Sequence, residues 1–234
     1  MSSSAKIITV SSSKGGAGKT TTLMCLADYW AQKGKKVALL DTDPNKSLSR
    51  WYEKGSKKGY FAGIEFQQQL NDKEIIATAR DLIERSDILL IDVAGIASIS
   101  LLKAAGIADL VVIPAQPSED DFLEAINTRG IVREAEELTK RTIPFRTVLT
   151  RAKKGTRVLD HTMTQLERLK FPVFKTVIFD RTVYAQSRFN GTTPIEQGRE
   201  GDGVKEIAAL AKEIEKILSQ KAGQGADEPI QAVA

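Results

Sequence analysis

The sequence predicts an α/β fold: a doubly wound, mostly parallel sheet with helices on both faces. Three observations carry that expectation. Short apolar, β-branched runs alternate with stretches of helical periodicity along most of the chain. Those runs are nearly continuous rather than alternating, the pattern of strands covered on both faces. The residues able to do chemistry fall just after the runs, at Ser13–Thr21, Asp41–Asn45, Asp92–Gly95, Pro114–Ser118 and Thr150–Lys154. Sheets of this kind bind ligands at the carboxyl ends of their strands.

The elements follow in order. Lys6–Ser12 reads as a strand and Lys19–Gln32 as a helix, which Gly34 ends as a C-terminal capping glycine. Lys36–Asp41 is a second strand. Asp72–Arg85 has helical periodicity and leads to a strand at Asp87–Asp92. A short helix over Ser98–Ala108, a strand at Leu110–Pro114 and a helix over Ser118–Thr139 come next. Ser118 with Asp121 three residues on has the spacing of a helix-start cap. A strand at Pro144–Thr150, a helix over Arg157–Leu169, a strand near Val173–Ile178 and a helix near Arg181–Arg188 complete the alternation. The last helix covers Gly203–Ser219, with Val204, Ile207, Ala211, Ile214 and Leu218 on one face. The expected organisation is one domain over 1–219 and a disordered tail over 220–234, where periodicity stops.

Composition bounds the function. With 234 residues, 41% hydrophobic and 27% charged, the chain can bury a core. A single cysteine, Cys25, permits no internal disulfide and no multi-cysteine metal site, which points to a reducing cytoplasm. The start, MSSSAKIITV, lacks the apolar run of a signal peptide, and no stretch is long and apolar enough to span a bilayer. Net charge is +4 but unevenly placed: +6 over residues 1–70, −7 over 71–140, +7 over 141–205 and −2 over 206–234. A basic block suits a polyanion partner such as DNA, and also suits a merely solvated surface.

The most specific signal is Ser13-Lys14-Gly15-Gly16-Ala17-Gly18-Lys19-Thr20-Thr21, directly after one strand and before one helix. Its end matches the phosphate-binding pattern G-x-x-x-x-G-K-[ST], with Ser13 in place of the first glycine. The glycines let successive backbone N–H groups face phosphate oxygens, and the helix start adds its positive dipole end. Lys19 would neutralise β- and γ-phosphate charge, and the Thr20 hydroxyl would bind Mg²⁺. The N-K-x-D guanine signature is missing: Thr150-Arg151-Ala152-Lys153 follows the relevant strand, so ATP is favoured.

With Lys14 inside the loop, K-G-G-x-G-K-T-T is the deviant Walker A motif, and the sequence resembles the ParA/MinD family of P-loop ATPases. The resemblance extends to Asp41-Thr42-Asp43-Pro44 and Asp92-Val93-Ala94-Gly95 and runs from Lys6 to about Leu218. It implies slow, partner-stimulated ATP hydrolysis in an ATP-dependent homodimer. Lys14 would reach across the dimer to the partner's nucleotide, with the logic of an arginine finger. Asp43 would orient the attacking water. Asp41 and Asp92 would support Mg²⁺ through its waters. The base would lie near Thr150, Arg151, Pro114 and Pro117.

Relatives that share the loop differ in function. An iron–sulfur reductase would need cysteines outside the loop helix. A MinD-type protein would end in an amphipathic membrane helix, and a tyrosine kinase in a tyrosine cluster, whereas the last tyrosine here is Tyr184. The P-loop strand begins by Lys6, which leaves no room for an added amino-terminal DNA-binding domain. Ser47-Leu48-Ser49-Arg50-Trp51 after the Asp-Thr-Asp-Pro run is similar to the small plasmid-partition members. The resemblance thus implies a cytoplasmic, nucleoid-associated ATPase that binds DNA non-specifically and segregates plasmid or chromosome DNA with a centromere-binding ParB-type adaptor, without a membrane partner. By region, Arg181, Arg188, Arg199 and Lys205 would contact DNA. The alternatives are an ATPase accessory to conjugative DNA transfer or protein-cargo positioning, and, in another class, a metabolic ligase of the dethiobiotin-synthetase type.

Overall fold

A computed structural model of the chain describes residues 5–12, 14–94, 98–196, 198 and 200–220. Ser13, Gly95, Arg199 and the tail beyond Gln220 lie outside the described residues.

Six strands form one sheet: β1 (Lys6–Val10), β2 (Val37–Asp41), β3 (Ile64–Gln68), β4 (Ile88–Asp92), β5 (Leu110–Ala115) and β6 (Phe145–Leu149). Their order is β3-β2-β4-β1-β5-β6, and every pairing is parallel. The chain steps from β1 past the β4 position to β2, returns to β4, then crosses β1 to reach β5. The order therefore reverses at β1, and the crevice outside its carboxyl end is the expected ligand site.

The helices are α1 (Lys19–Gln32), α2 (Ser47–Ser56), α3 (Ile75–Ile83), α4 (Ile99–Ile107), α5 (Glu119–Thr139), α6 (Arg157–Arg168), α7 (Thr182–Asn190) and α8 (Asp202–Gln220). Strand side chains alternate between two helical layers. Ile8, Val10, Leu39, Leu90 and Val112 point into the core under α1, α2, α7 and α8. Ile7, Leu40, Leu89, Ile91, Val111 and Ile113 point to the layer of α3, α4, α5 and α6. Strands buried on both faces explain the unbroken apolar runs of the sequence.

The ends of α1 and α5 are set by local chemistry. Gly34, at φ 79°, donates its N–H to the Ala31 carbonyl at 2.9 Å and closes α1 in the left-handed turn that glycine permits. Ser118 accepts the Asp121 N–H at 3.2 Å and caps α5, as its spacing predicts. In α8, Ile207, Leu210, Ala211, Ile214 and Leu218 are buried, with Val204 partly covered at the margin of that face.

Three elements depart from the sequence expectation. α2 and β3 were not foreseen as elements. β3 is an edge strand whose only buried residue is Ile64, so it carries little apolar signal. α2 contains Gly55 and shows only Leu48, Ser49, Trp51 and Gly55 to the core. α3 begins at Ile75 rather than Asp72, because Asp72 accepts a hydrogen bond from Ser100 and stays outside the helix.

The expected strand near Val173–Ile178 is an extended strip that touches β6 at intervals. Phe174 N–H reaches Thr147 O at 2.9 Å and Ile178 N–H reaches Leu149 O at 2.8 Å. Between them, the N–H groups of Lys175 and Thr176 turn to the Glu213 carboxylate of α8, at 2.9 and 2.8 Å. That carboxylate competes with β6 for the strip and prevents a regular ladder. Among the described residues, no helix is long and apolar enough to cross a membrane.

Candidate nucleotide site

The loop from β1 to α1 bends through two left-handed residues, Gly16 at φ 83° and Gly18 at φ 86°. A side chain at either position would be strained. Gly18 is also tightly placed: a Cβ there would sit 3.4 Å from Thr150. The Thr150 hydroxyl donates to Ala17 O at 2.7 Å, so the end of β6 pins the loop from the side.

The two loop lysines have different surroundings. Lys19 is buried, and its Nζ donates back to Lys14 O at 3.1 Å and Ser12 O at 3.4 Å. Lys14 is partly exposed. Its Nζ lies 2.8 Å from Asp121 Oδ2 and 3.9 Å from Asp120, both in the first turn of α5. The hydrogen bond to Asp121 raises the Lys14 pKa. Burial pushes the Asp121 carboxyl up, but Lys14, the Gln116 N–H and Ser118 together hold it below the usual range.

Three buried aspartates stand at the strand ends. Asp92 is fully buried, and its Oδ2 accepts the Thr20 hydroxyl at 3.0 Å while its Oδ1 has no partner among the described residues. Burial, with the charge of Asp41, pushes its pKa up to about 7, against the pull of Thr20 and Lys19. Asp41 has both oxygens engaged. Oδ1 accepts the Asp43 N–H at 3.0 Å, and Oδ2 accepts the N–H and hydroxyl of Ser49 at 2.9 and 2.5 Å. Burial raises its pKa as well. Asp43 closes the turn by accepting the Asn45 N–H at 2.8 Å on one oxygen.

The fit to Mg²⁺ can be judged from these groups. A buried carboxylate oxygen without a partner is costly unless a cation or water meets it. Asp92 Oδ1 is such an atom, beside the Thr20 hydroxyl, and the pair suits a hard cation that keeps several waters. Asp41 has Oδ2 taken up by two hydrogen bonds from α2 and Oδ1 by one from Asp43, so it is less available than Asp92 and adds negative charge to the group.

Beside the loop opens a cavity of about 430 Å³, lined among others by Gly18, Thr21, Thr150 and Arg151. Pro114 and Pro117 are not on it: Pro114 is within β5, paired with Val148. The opposite wall was missed in the sequence. It comes from Ile178–Arg181 and from Tyr184, Arg188 and Phe189 of α7. The strip 173–179 carries it there, with the Ala152–Phe179 bridge just beyond the end of β6. The wall includes one carboxylate, Asp180, supplied by this strip and not by the loop after β6. A carboxylate suits the exocyclic amino group of adenine.

The expected DNA residues are dispersed in character. Arg181 is held by Glu206 at 2.7 Å and Asp202 at 3.1 Å, which neutralise it. Arg188 is exposed and lies 5.8 Å over the Trp51 ring. Lys205 is exposed, and Arg199 lies outside the described residues. Cys25 is buried in α1, where burial and Asp28 push its thiol pKa up.

Comparison with known proteins agrees with this geometry. The family model described as VirC1 protein matches residues 5–215. The chain is 28% identical over 220 residues to Protein ParA of Rhizobium radiobacter, covering 92% of this chain and 98% of that protein. It is 27% identical over 188 residues to Protein virC1 of Rhizobium rhizogenes, covering 80% and 81%. It is 25% identical over 221 residues to the maintenance of carboxysome distribution protein A of Halothiobacillus neapolitanus, covering 94% and 97%.

Two solved structures share the fold. One is a plasmid partition protein of Borrelia burgdorferi bound to AMPPNP, with TM-score 0.70, 20% identity and coverage of 93% and 99%. The other is the cell-division ATPase MinD of Pyrococcus furiosus, with TM-score 0.74, 18% identity and coverage of 91% and 99%. The dethiobiotin-synthetase alternative is not favoured by this company. With its deviant loop, its all-parallel sheet and a family match over nearly its whole length, the chain belongs to the VirC1 family, within the ParA/MinD class of deviant Walker A ATPases.

Proposed function

We propose that the protein hydrolyses ATP as an ATP-dependent homodimer, binds DNA without sequence preference in that state, and segregates or positions DNA together with a ParB-type adaptor. The observation that supports this most is Lys14, a second lysine at the mouth of the phosphate loop. Among the described residues its ammonium pairs with carboxylates of α5, which a phosphate could replace.

In this reading Lys19 leaves the carbonyls of Ser12 and Lys14 to neutralise the β- and γ-phosphates. Thr20 and Asp92 hold Mg²⁺, which supplies positive charge against the phosphate oxygens. Lys14 exchanges Asp121 for the phosphoryl group bound by the partner subunit, where charge develops. Asp43 orients the attacking water from the loop after β2. Thr150 and Arg151, with the α7 wall, receive the base.

Light scattering with ATP and with ADP tests the proposal. The expected result is a dimer with ATP only, lost in Lys14→Ala with nucleotide binding retained. Equal dimer fractions with both nucleotides would overturn it. A second reading, positioning of a protein cargo, is favoured by the similarity to proteins named for maintenance of carboxysome distribution. It predicts the same dimer but no nucleotide-gated DNA binding.

A further inference from the structure

α2 carries a feature that the site chemistry does not use. Its buried face is Leu48, Ser49, Trp51 and Gly55. On the opposite side Lys46, Arg50, Lys54, Lys57 and Lys58 are all exposed. The spacing of 46, 50, 54 and 57 is that of one helical face. One acid, Glu53, stands among them, so residues 46–58 carry a net charge of +4.

The end of α7 joins the same surface. Lys54 donates to the Phe189 carbonyl and its ammonium lies 4.9 Å from the centre of the Phe189 ring. Lys58 donates to Asn190 O at 2.7 Å. Arg188 lies over Trp51 of α2. These contacts add the guanidinium of Arg188 and the exposed ring of Phe189 to the row of cations.

We infer that this α2–α7 ridge is a phosphate-backbone binding surface for DNA. The inference rests on the DNA-binding reading above and adds to Arg188 the cations of residues 46–58, outside the basic block of residues 141–205. Arg50 and Lys54 lie within α2, with Lys46 and Lys57 at its two caps, and from cap to cap the row spans about 16 Å at the helical rise per residue. That exceeds the roughly 12 Å width of the DNA major groove, so the cations can reach phosphates on both of its edges. A lipid surface fits less well. A helix lying in a membrane interface needs its apolar face free, whereas that of α2 is buried in the core.

The ridge is also fastened to the nucleotide site. Asp41 at the end of β2 grips Ser49 in the first turn of α2, and Arg188 and Phe189 line the cavity beside the phosphate loop. These contacts join the cation row directly to the nucleotide site.

The test is fluorescence anisotropy of a labelled duplex of arbitrary sequence, titrated with the full-length protein and ATP at several salt concentrations. Arg50→Glu/Lys57→Glu is compared with the charge-preserving Arg50→Lys/Lys57→Arg, with Arg50→Gln/Lys57→Gln as a milder neutral pair. Each phosphate contact contributes about 0.9 to the slope of log affinity against log salt. The charge-reversed and neutral pairs should therefore lower that slope by about two per bound protomer and weaken binding at least tenfold at low salt. The charge-preserving pair should behave as the native protein.

A native slope in both the charge-reversed and neutral pairs would overturn the ridge while leaving DNA binding in place. Absence of DNA binding by the native protein with ATP would overturn the underlying reading and the ridge with it. Arg50-dependent sedimentation with phosphatidylcholine–phosphatidylglycerol vesicles, without DNA binding, would reassign the ridge to lipid. The same titration with a single strand tells whether the exposed Phe189 adds base stacking. Tighter binding of the single strand than of the duplex would replace groove-edge contact by a stacking platform and overturn the duplex geometry.

Discussion

Asp41 and Asp92 end neighbouring parallel strands and face each other in register, and both are fully buried. Their chemistry nevertheless differs. Asp41 accepts three hydrogen bonds, two of them from the first turn of α2, and serves as a post for that helix. Asp92 accepts one from Thr20 and keeps one oxygen without a partner among the described residues. Identical residues in identical strand positions thus differ: the fold engages both oxygens of one and a single oxygen of the other. What divides them is whether a donor from the next helix arrives.

The largest expected break of this contrast is Asp92→Asn. Loss of the open carboxylate oxygen should lower ATP hydrolysis by about 10²–10³-fold, the scale of removing one preorganised electrostatic group. The apo protein should melt no lower than the native one, because a buried charge has been removed. Steady-state phosphate release and a melting curve check both halves. A variant with near-native turnover would show that the open oxygen is idle.

Asp41→Asn should do the reverse. Hydrogen bonds to a buried charged group contribute about 1.5–3 kcal/mol each, and the amide can keep only part of the set. We expect a loss of about 2–4 kcal/mol in urea unfolding, with turnover per folded molecule falling much less than in Asp92→Asn.

Asp28 sharpens the comparison, because it is a buried carboxylate with one oxygen unpaired among the described residues, in α1 nine positions beyond Lys19. Its other oxygen accepts the Thr193 hydroxyl, and burial pushes its pKa up to about 6. A raised carboxyl pKa means that the folded state holds the proton more tightly. Its favourable contribution is therefore fully present below the unfolded value near 4 and lost as pH rises through about 6. Asp28→Asn should stabilise the protein by about 1–2 kcal/mol at pH 8 and hardly at all at pH 4, with ATPase activity unchanged. An equal gain at both pH values would show that the carboxylate is not the source of the strain.

The smallest effect is expected at Asp121. Asp121→Asn keeps a side chain able to meet the Gln116 N–H and Ser118 but releases Lys14. Dimerisation should then occur at an ATP concentration a few-fold lower, read by light scattering. An unchanged midpoint would mean that the ion pair does not restrain Lys14.

The division between Asp41 and Asp92 was not legible in the sequence. Both end an apolar run with a carboxylate, and only the fold shows that Ser49 reaches one of them. The phosphate loop was legible because its chemistry is local: the glycines and lysines act within nine consecutive residues. The strands β1, β2, β4 and β5 were legible because burial on two faces leaves nearly unbroken apolar runs, and β6, Phe-Arg-Thr-Val-Leu, was legible by its aromatic and β-branched residues. β3 was not, since an edge strand such as Ile-Glu-Phe-Gln-Gln buries one residue. The base-side wall was missed because its residues, from Ile178 to Phe189, meet Thr21 and Thr150 only through the tertiary fold. The strip 173–178 looked like a strand because Glu213, which draws its N–H groups away, is 37 residues further on.

The place of β1 at the centre of the sheet sets an order on biosynthesis. It is the first of these six strands to leave the ribosome, yet its neighbours are β4, where Ile8 pairs with Leu90, and β5, where Val10 pairs with Val112. Its two edges and the apolar residues Ile7, Ile8 and Val10 cannot be covered by their native partners until the chain has grown past Leu110. At about 5–20 residues per second, that is a wait of several seconds with an open strand edge, during which pairing with another chain competes. Nascent-chain occupancy by a holdase should accordingly fall once β5 has emerged, well before α8 is made.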